Sequence, residues 1–294
     1  MSQGRTLNLV WRRTILDGVL ETQFLRHVVL SGLERALRWI AIEDGQPLPA
    51  ADDLLVCSFG DCGRYLRELR DGGRRNIGVL HLGDEKARDD IGFYAEADYV
   101  LRHYHRPGLI PAGCCKAILW IPNGWARGIG PASGTTPLDF DARRHEIFFA
   151  GYAGPQGSRL PERQAMLDAL SALGRPATVI LTEGFGQGFG PAAYGAYLAD
   201  SRFALAPAGN AAETIRFYDA LEMGALPVVT DAAWLHDVDG INALGPVPVP
   251  VLDHWRDLPE LGQRRYGETE RQAAADWWAR FKALTAARVS DVIE

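Results

Sequence analysis

The stretch DSRFALAPAGNAAETIRFYDALEMGALPVVTD, residues 200 to 231, holds the residues best suited to chemistry. An apolar run from Phe203 to Pro207 reads as a buried strand and enters the small-residue turn Ala208-Gly209-Asn210. A helix follows, and Leu226-Pro227-Val228-Val229 forms the next strand. The helix carries Glu213, Arg216, Asp219 and Glu222 at a spacing of three, so they drift slowly around one side. Its N-terminus stands at the carboxyl end of a strand, where free N–H groups and the helix dipole favour a phosphate. Arg216, one turn in, adds a fixed positive charge with a fork suited to phosphate oxygens. The carboxylates offer acceptors for sugar or ribose hydroxyls. One βαβ unit thus has the makings of a nucleotide-sugar site.

A second loop completes that expectation. The strand Phe148-Phe149-Ala150 runs into Gly151-Tyr152-Ala153-Gly154, and Arg159 and Arg163 follow within reach of a phosphate. Glycines at such a place let backbone approach a ligand closely. In the first half, His81-Leu82-Gly83-Asp84-Glu85 ends another strand. Sugar transfer needs a group that takes the acceptor hydroxyl's proton. Asp84 and Glu85 are the first candidates, His81 the third, and Asp61 the reserve. The competing reading of Asp84 is a helix N-cap.

These motifs resemble the exostosin-type glycosyltransferases, glycosyltransferase family 47 and the related ribitol-xylosyltransferases. The match runs through Arg216, Asp219, Ala220, Leu221, Gly224, Pro227, Val228 and Val229. Upstream, His81 to Glu85, Tyr99 to Tyr104, Ile121-Pro122-Asn123-Gly124 and Phe148 to Gly151 occur in the family's order. The resemblance spans roughly residues 75 to 231. It implies the GT-B fold, in which two Rossmann-like domains face a cleft and a C-terminal helix crosses back to the first. The family's eukaryotic members begin with a membrane anchor, and no such segment is read here.

The elements that must position these groups alternate along the chain. Leu7 to Trp11 reads as a strand and Phe24 to Ile42 as a helix. Leu54 to Ser58, Ile77 to Leu82, Asp98 to Arg102 and Ala117 to Ile121 read as buried strands, with a helix from Tyr65 to Arg70. Such alternation argues for a parallel α/β sheet. Between Asn123 and Arg144 the composition turns to Gly, Pro, Ser and Thr, the best linker in the chain. The pattern then restarts with strand 146–150, helix 163–173, strand 177–181 and helix 192–200. A terminal helix spans Gln272 to Val292 and carries Trp277, Trp278 and Phe281. The expected division is an acceptor domain over 1–135, a nucleotide-sugar domain over 136–272 and a returning helix over 273–294.

Composition narrows the function. A formal net charge of −6 offers nothing for bulk nucleic-acid binding. Arg64 to Arg75 is locally basic and suits a solvated helix end or a peripheral membrane contact. No stretch approaches the ~18 to 20 apolar residues that span a bilayer. Without a secretory signal, Cys57, Cys62, Cys114 and Cys115 are expected as reduced thiols in the cytoplasm. His103-x-His105 with Cys114-Cys115 lacks zinc spacing, so neither metal nor cofactor is expected. Gly184 to Gly190 does not fit the dinucleotide fingerprint, which disfavours a nicotinamide enzyme. The leading expectation is transfer of a sugar, with a UDP-sugar as donor, to a glycan or lipid-linked acceptor, as in surface-polysaccharide synthesis. The alternative is a non-catalytic nucleotide-sugar-binding protein of the same fold.

Overall fold

The computed structural model describes residues 6–14, 19–43, 45–126, 128–154, 161–174, 176–184, 187–235 and 241–294. Two compact units divide the chain: Met1–Pro122 with Lys282–Glu294, and Asn123–Phe281. The Gly- and Pro-rich stretch after Pro122 is counted wholly in the second unit. It is tied down there, with the Asn123 N–H donating to Glu213 Oε1 and the Phe140 N–H to Glu268 Oε2.

The first unit holds a six-stranded sheet built from β1 (Leu7–Arg12), β2 (Leu37–Ile42), β3 (Leu54–Ser58), β4 (Ile77–His81), β5 (Tyr99–Arg102) and β6 (Ala117–Trp120). The spatial order is β2-β1-β3-β4-β5-β6, with every pair parallel. β3 and β4 are buried along their whole length, as central parallel strands covered on both faces must be. Helix α1 (Gly63–Asp71) lays Leu66 and Leu69 on Leu54, Val56, Ile77, Val79 and Val100. Each such side chain contributes roughly 1.5–3 kcal/mol by leaving water.

One expected helix is corrected. Of Phe24 to Ile42, only the beginning is helical, as Thr22–Phe24 continuing in a π turn over Leu25–Val29. The rest turns at Ser31–Gly32 and becomes the edge strand β2, Leu37–Ile42. The turn is fixed by the end of the C-terminal helix α5 (Glu268–Ile293). A Cβ on Gly32 would stand 2.9 Å from the Ala286 carbonyl oxygen, and Ser290 Oγ donates to the Gly32 carbonyl at 3.1 Å. Arg35 then bridges Asp53 and Glu294 at 3.1 Å each.

The second unit holds four parallel strands in the order β10-β9-β7-β8: β7 (His145–Gly151), β8 (Thr178–Leu181), β9 (Ser201–Leu205) and β10 (Leu226–Val228). Helices α2 (Pro161–Ala172), α3 (Pro191–Ala199) and α4 (Ile215–Glu222) connect them. The aromatic residues of α5 close the unit: Trp278 stands 5.5 Å from the Tyr218 ring and Trp277 stacks on Phe281 at 5.0 Å. No helix among the described residues is long and apolar enough to cross a membrane. All four cysteines are free thiols.

Candidate functional site

In the second unit the strand order reverses at β7. β8 lies on one side of it, and the chain then crosses to place β9 on the other. Ligands of open α/β sheets bind at such a reversal, outside the carboxyl ends of the strands. Five of the expected donor residues gather there. Arg216, in the first turn of α4, donates from Nε to the Ala150 carbonyl at 3.1 Å and lies 5.6 Å from the Phe149 ring centre. Gly151 sits against it with φ of 153°, and a Cβ at this position would overlap the guanidinium. Arg163, on α2, donates from Nη1 to the carbonyl of half-buried Tyr152. Its Nη2 stands 3.3 Å from where a Cβ on Gly209 would be. Two guanidinium groups and two glycine turns therefore share the ends of β7 and β9. Asn210 is exposed on the same turn as Gly209. Arg159 lies outside the described residues.

The head of α4 adds an orphan group. Thr214 is its N-cap residue and is buried. Its Oγ1 has no partner among the described residues and makes no cap hydrogen bond. A buried hydroxyl without a partner is costly, and the first N–H groups of a helix also lack partners within it. A bound anion would satisfy both.

Glu213 stands just before the N-cap Thr214, outside the helix, while Asp219 and Glu222 lie on α4; each has an internal donor. Glu213 is buried, and its Oε1 accepts from the Asn123 N–H and the Tyr218 hydroxyl, both at 2.9 Å. Asp219, also buried, accepts the Ala126 N–H at 2.7 Å and a hydrogen bond with Tyr194. Glu222 accepts the Trp278 indole N–H at 2.7 Å. These contacts tie Glu213, Asp219 and Glu222 to other parts of the unit. Phe217 to Leu221 are all covered, so the Asp219 carboxylate takes internal donors.

In the first unit the ends of β4 and β5 carry a buried polar network. Asp84 is 3% exposed, and its Oδ1 accepts the N–H groups of Arg88 and Asp89 at 2.8 and 3.1 Å. Oδ2 pairs with the buried Arg102 at 2.9 Å. Burial raises this carboxyl, but the two N–H donors and the Arg102 guanidinium outweigh it and hold it below the usual carboxylate range. His81 Nδ1 meets the Tyr94 hydroxyl at 2.6 Å and Nε2 meets Asp89 at 3.1 Å. Burial, then the charge of Arg102, pushes the imidazole down against the pull of Asp89 and Asp84. His103, buried beside them, is pushed down to about 3, chiefly by burial.

Asp84 and His81, expected to take a proton, are thus spent on internal partners. Asp84 caps a turn, since the residues directly after it form turns and bends and the 3-10 helix Gly92–Glu96 begins only later. Glu85 stays half-buried at the surface of the same turn. Sequence reasoning missed its neighbour Glu21, in the loop after β1. Burial and the charge of Glu85 push the Glu21 carboxyl up to about 7, over the opposing N–H groups of Glu21 and Leu20. Nothing in the sequence signals this, because the shift comes from the folded surroundings. Asp61, the reserve, accepts the Gly63 N–H on Oδ1 at 2.8 Å at the head of α1. No cluster of three or more His, Cys, Asp or Glu side chains among the described residues is arranged to hold a metal.

Comparison with known proteins adds to this geometry. Residues 190–294, which include β9, α4, β10 and α5, match the family described as RXYLT1 C-terminal domain. An alpha-glucosyltransferase in complex with UDP and a 13-mer DNA containing a HMU base is similar over the whole length. Its TM-score is 0.58 at 10% identity, covering 99% of each chain. The GtfA/B complex gives a TM-score of 0.47 at 12% identity over 83% of this chain, which spans 58% of the length of that one. No curated protein matches the sequence. The chain has the GT-B fold, and that fold with the family match supports a glycosyltransferase.

Proposed function

We propose that the protein transfers a sugar from a nucleoside diphosphate, a UDP-sugar first among them, to a glycan or lipid-linked acceptor, in the manner of the exostosin-like enzymes. The observation that carries this reading is the meeting of Arg216, Arg163, Gly151 and Gly209 at the strand reversal of the second unit, where α4 begins with a Thr214 hydroxyl that has no partner among the described residues. In this reading the diphosphate lies on the head of α4, with Arg216 and Arg163 on its oxygens. As the bond between the anomeric carbon and the diphosphate breaks, the leaving group keeps the electron pair. Two guanidinium groups and a helix N-terminus stabilise the charge that develops. That supply of positive charge lets transfer proceed without a metal.

The acceptor hydroxyl attacks the anomeric carbon and must lose its proton. The pair Glu85 and Glu21 takes it in this proposal, because a base poised near the working pH is the most effective. Asp84, His81 and Arg102 position the turn that carries Glu85. The test is a thermal-shift panel of UDP-, GDP- and CMP-sugars with NAD(P), run beside an assay of donor hydrolysis. Stabilisation by one class of nucleotide sugar with slow release of its sugar supports the proposal. Stabilisation by NAD(P) alone refutes it, and binding with no turnover for any donor leaves only a binding protein.

A further inference from the structure

The first unit has its own strand reversal, and a cavity sits in it. The order β2-β1-β3 turns back at β1, and a cavity of about 270 Å³ opens at the ends of β1 and β3, lined by Arg12, Phe59, Asp61 and Tyr65 among others. Arg12 lies over the Tyr65 ring at 4.5 Å. Its Nη1 reaches the Glu43 carbonyl at 3.5 Å, and its Nη2 has no partner among the described residues. None of the charged groups described so far uses this arginine.

We infer that this cavity binds one acidic sugar residue, with its carboxylate or phosphate on Arg12. Size, charge and shape each support that ligand. The volume falls just below the roughly 300 Å³ at which pockets for drug-sized ligands begin, which suits a single ring. A guanidinium stacked on an aromatic ring and short of partners is arranged to grip a planar or tetrahedral anion by two N–H groups. Asp61 spends Oδ1 on the Gly63 N–H, and its Oδ2 is the acceptor that a ring hydroxyl would meet. One cation facing one carboxylate fits a sugar with a single acid group and several hydroxyls, not a polyanion.

The rim of the cavity reaches the turn that carries Glu85. Phe59 is 44% exposed and its ring packs on Gly83, where a Cβ would stand 2.6 Å from Phe59 Cδ1. Gly83 also holds φ at 86°, a conformation that suits glycine. A sugar lying against Phe59 is therefore two residues along the chain from the candidate base. That this sugar belongs to the acceptor rests on the transfer reading; that the cavity binds it does not.

The test uses the full chain with glucuronate, glucose 6-phosphate and glucose, followed by ligand-observed saturation-transfer NMR and calorimetry. At least one acidic sugar is expected to bind, about tenfold or more tighter than glucose, since a charge-assisted pair contributes more than a neutral contact. The two acids separate carboxylate from phosphate recognition. Arg12→Gln should erase the preference for the acid. Phe59→Ala, at an exposed site, should weaken acid and neutral sugar alike and keeps the test decisive if Arg12→Gln does not fold. Equal binding of acid and glucose, binding of neither acid, a preference that survives in folded Arg12→Gln, or full acid affinity in Phe59→Ala would each overturn the inference. UDP is titrated in parallel. A chain that takes an acidic sugar but no UDP keeps this site and loses the donor reading, and the converse result does the reverse.

Discussion

Replacing Asp84 by Asn separates a structural carboxylate from a catalytic one. The substitution keeps an oxygen for the Arg88 and Asp89 N–H groups but removes the charge that faces Arg102 Nη2 at 2.9 Å. Arg102 is 1% exposed, so the variant strands a buried cation beside an amide N–H group. Breaking one side of a buried pair costs about 3–5 kcal/mol. Arg102 keeps its bonds to the His103 and Tyr104 carbonyls and the Tyr94 hydroxyl, which favours the lower end, near 3 kcal/mol by the same measure. A loss of that size lowers the melting temperature of a domain this large by roughly 6–12 °C. Urea denaturation followed by tryptophan fluorescence measures it. A double variant with Arg102→Gln should lose less than the sum of the two single losses, by about 1 kcal/mol or more. Unchanged melting together with lost sugar transfer would refute the structural role and make Asp84 the base.

Three further outcomes are expected. Gly151→Ala drives a methyl group into the Arg216 guanidinium and should weaken UDP binding by about tenfold with little change in fold; equal affinity by calorimetry would show that Arg216 has no part in the site. Asp219→Asn weakens the bonds to the Ala126 N–H and Tyr194 and should cost about 1–3 kcal/mol of stability while leaving UDP affinity intact; a selective loss of affinity would return Asp219 to the donor site. Glu21 sets a pH dependence. Its folded-state value, about 7, stands above its ordinary 4.5, so the stability it contributes is full below pH 4.5 and is lost as pH rises through 7. With Glu85 facing it and part of the side chain screened by solvent, the change is on the order of 2 kcal/mol. Glu21→Gln should remove that slope, and a constant difference from wild type between pH 4.5 and 8 would contradict the shift.

The parallel sheets were legible because their central strands, such as LLVCS and IGVLH, are continuous apolar runs between turn signals. β2 was not. LRWIAI lies on a half-exposed edge and its apolar residues fit either period, so the Ser31-Gly32 turn signal alone did not separate it from the preceding helical turn. What ends the helix is Ala286, more than 250 residues away. The glycines and arginines at the ends of β7 and β9 can be read in order from the chain, since strand, turn and helix head follow one another. Which way Glu213, Asp219 and Glu222 face cannot. Spacing places them on one side, but the donors that claim them come from Asn123, Ala126 and Trp278. The same holds for Asp84, whose partner Arg102 is a strand away, and for Glu21, whose perturbation exists only once the loop after β1 is packed.

The most direct test is a calorimetric titration of UDP into the wild-type chain and into Arg216→Ala. Arg216 is anchored at the Ala150 carbonyl with its guanidinium at the strand reversal, so its loss should remove a charge-assisted contact with the diphosphate. The expected result is saturable binding to the wild type and affinity weaker by about 1.5–3 kcal/mol in the variant, with both proteins melting alike. Undiminished UDP affinity in a folded Arg216→Ala chain, or no binding of any nucleoside diphosphate to the wild type, would contradict it.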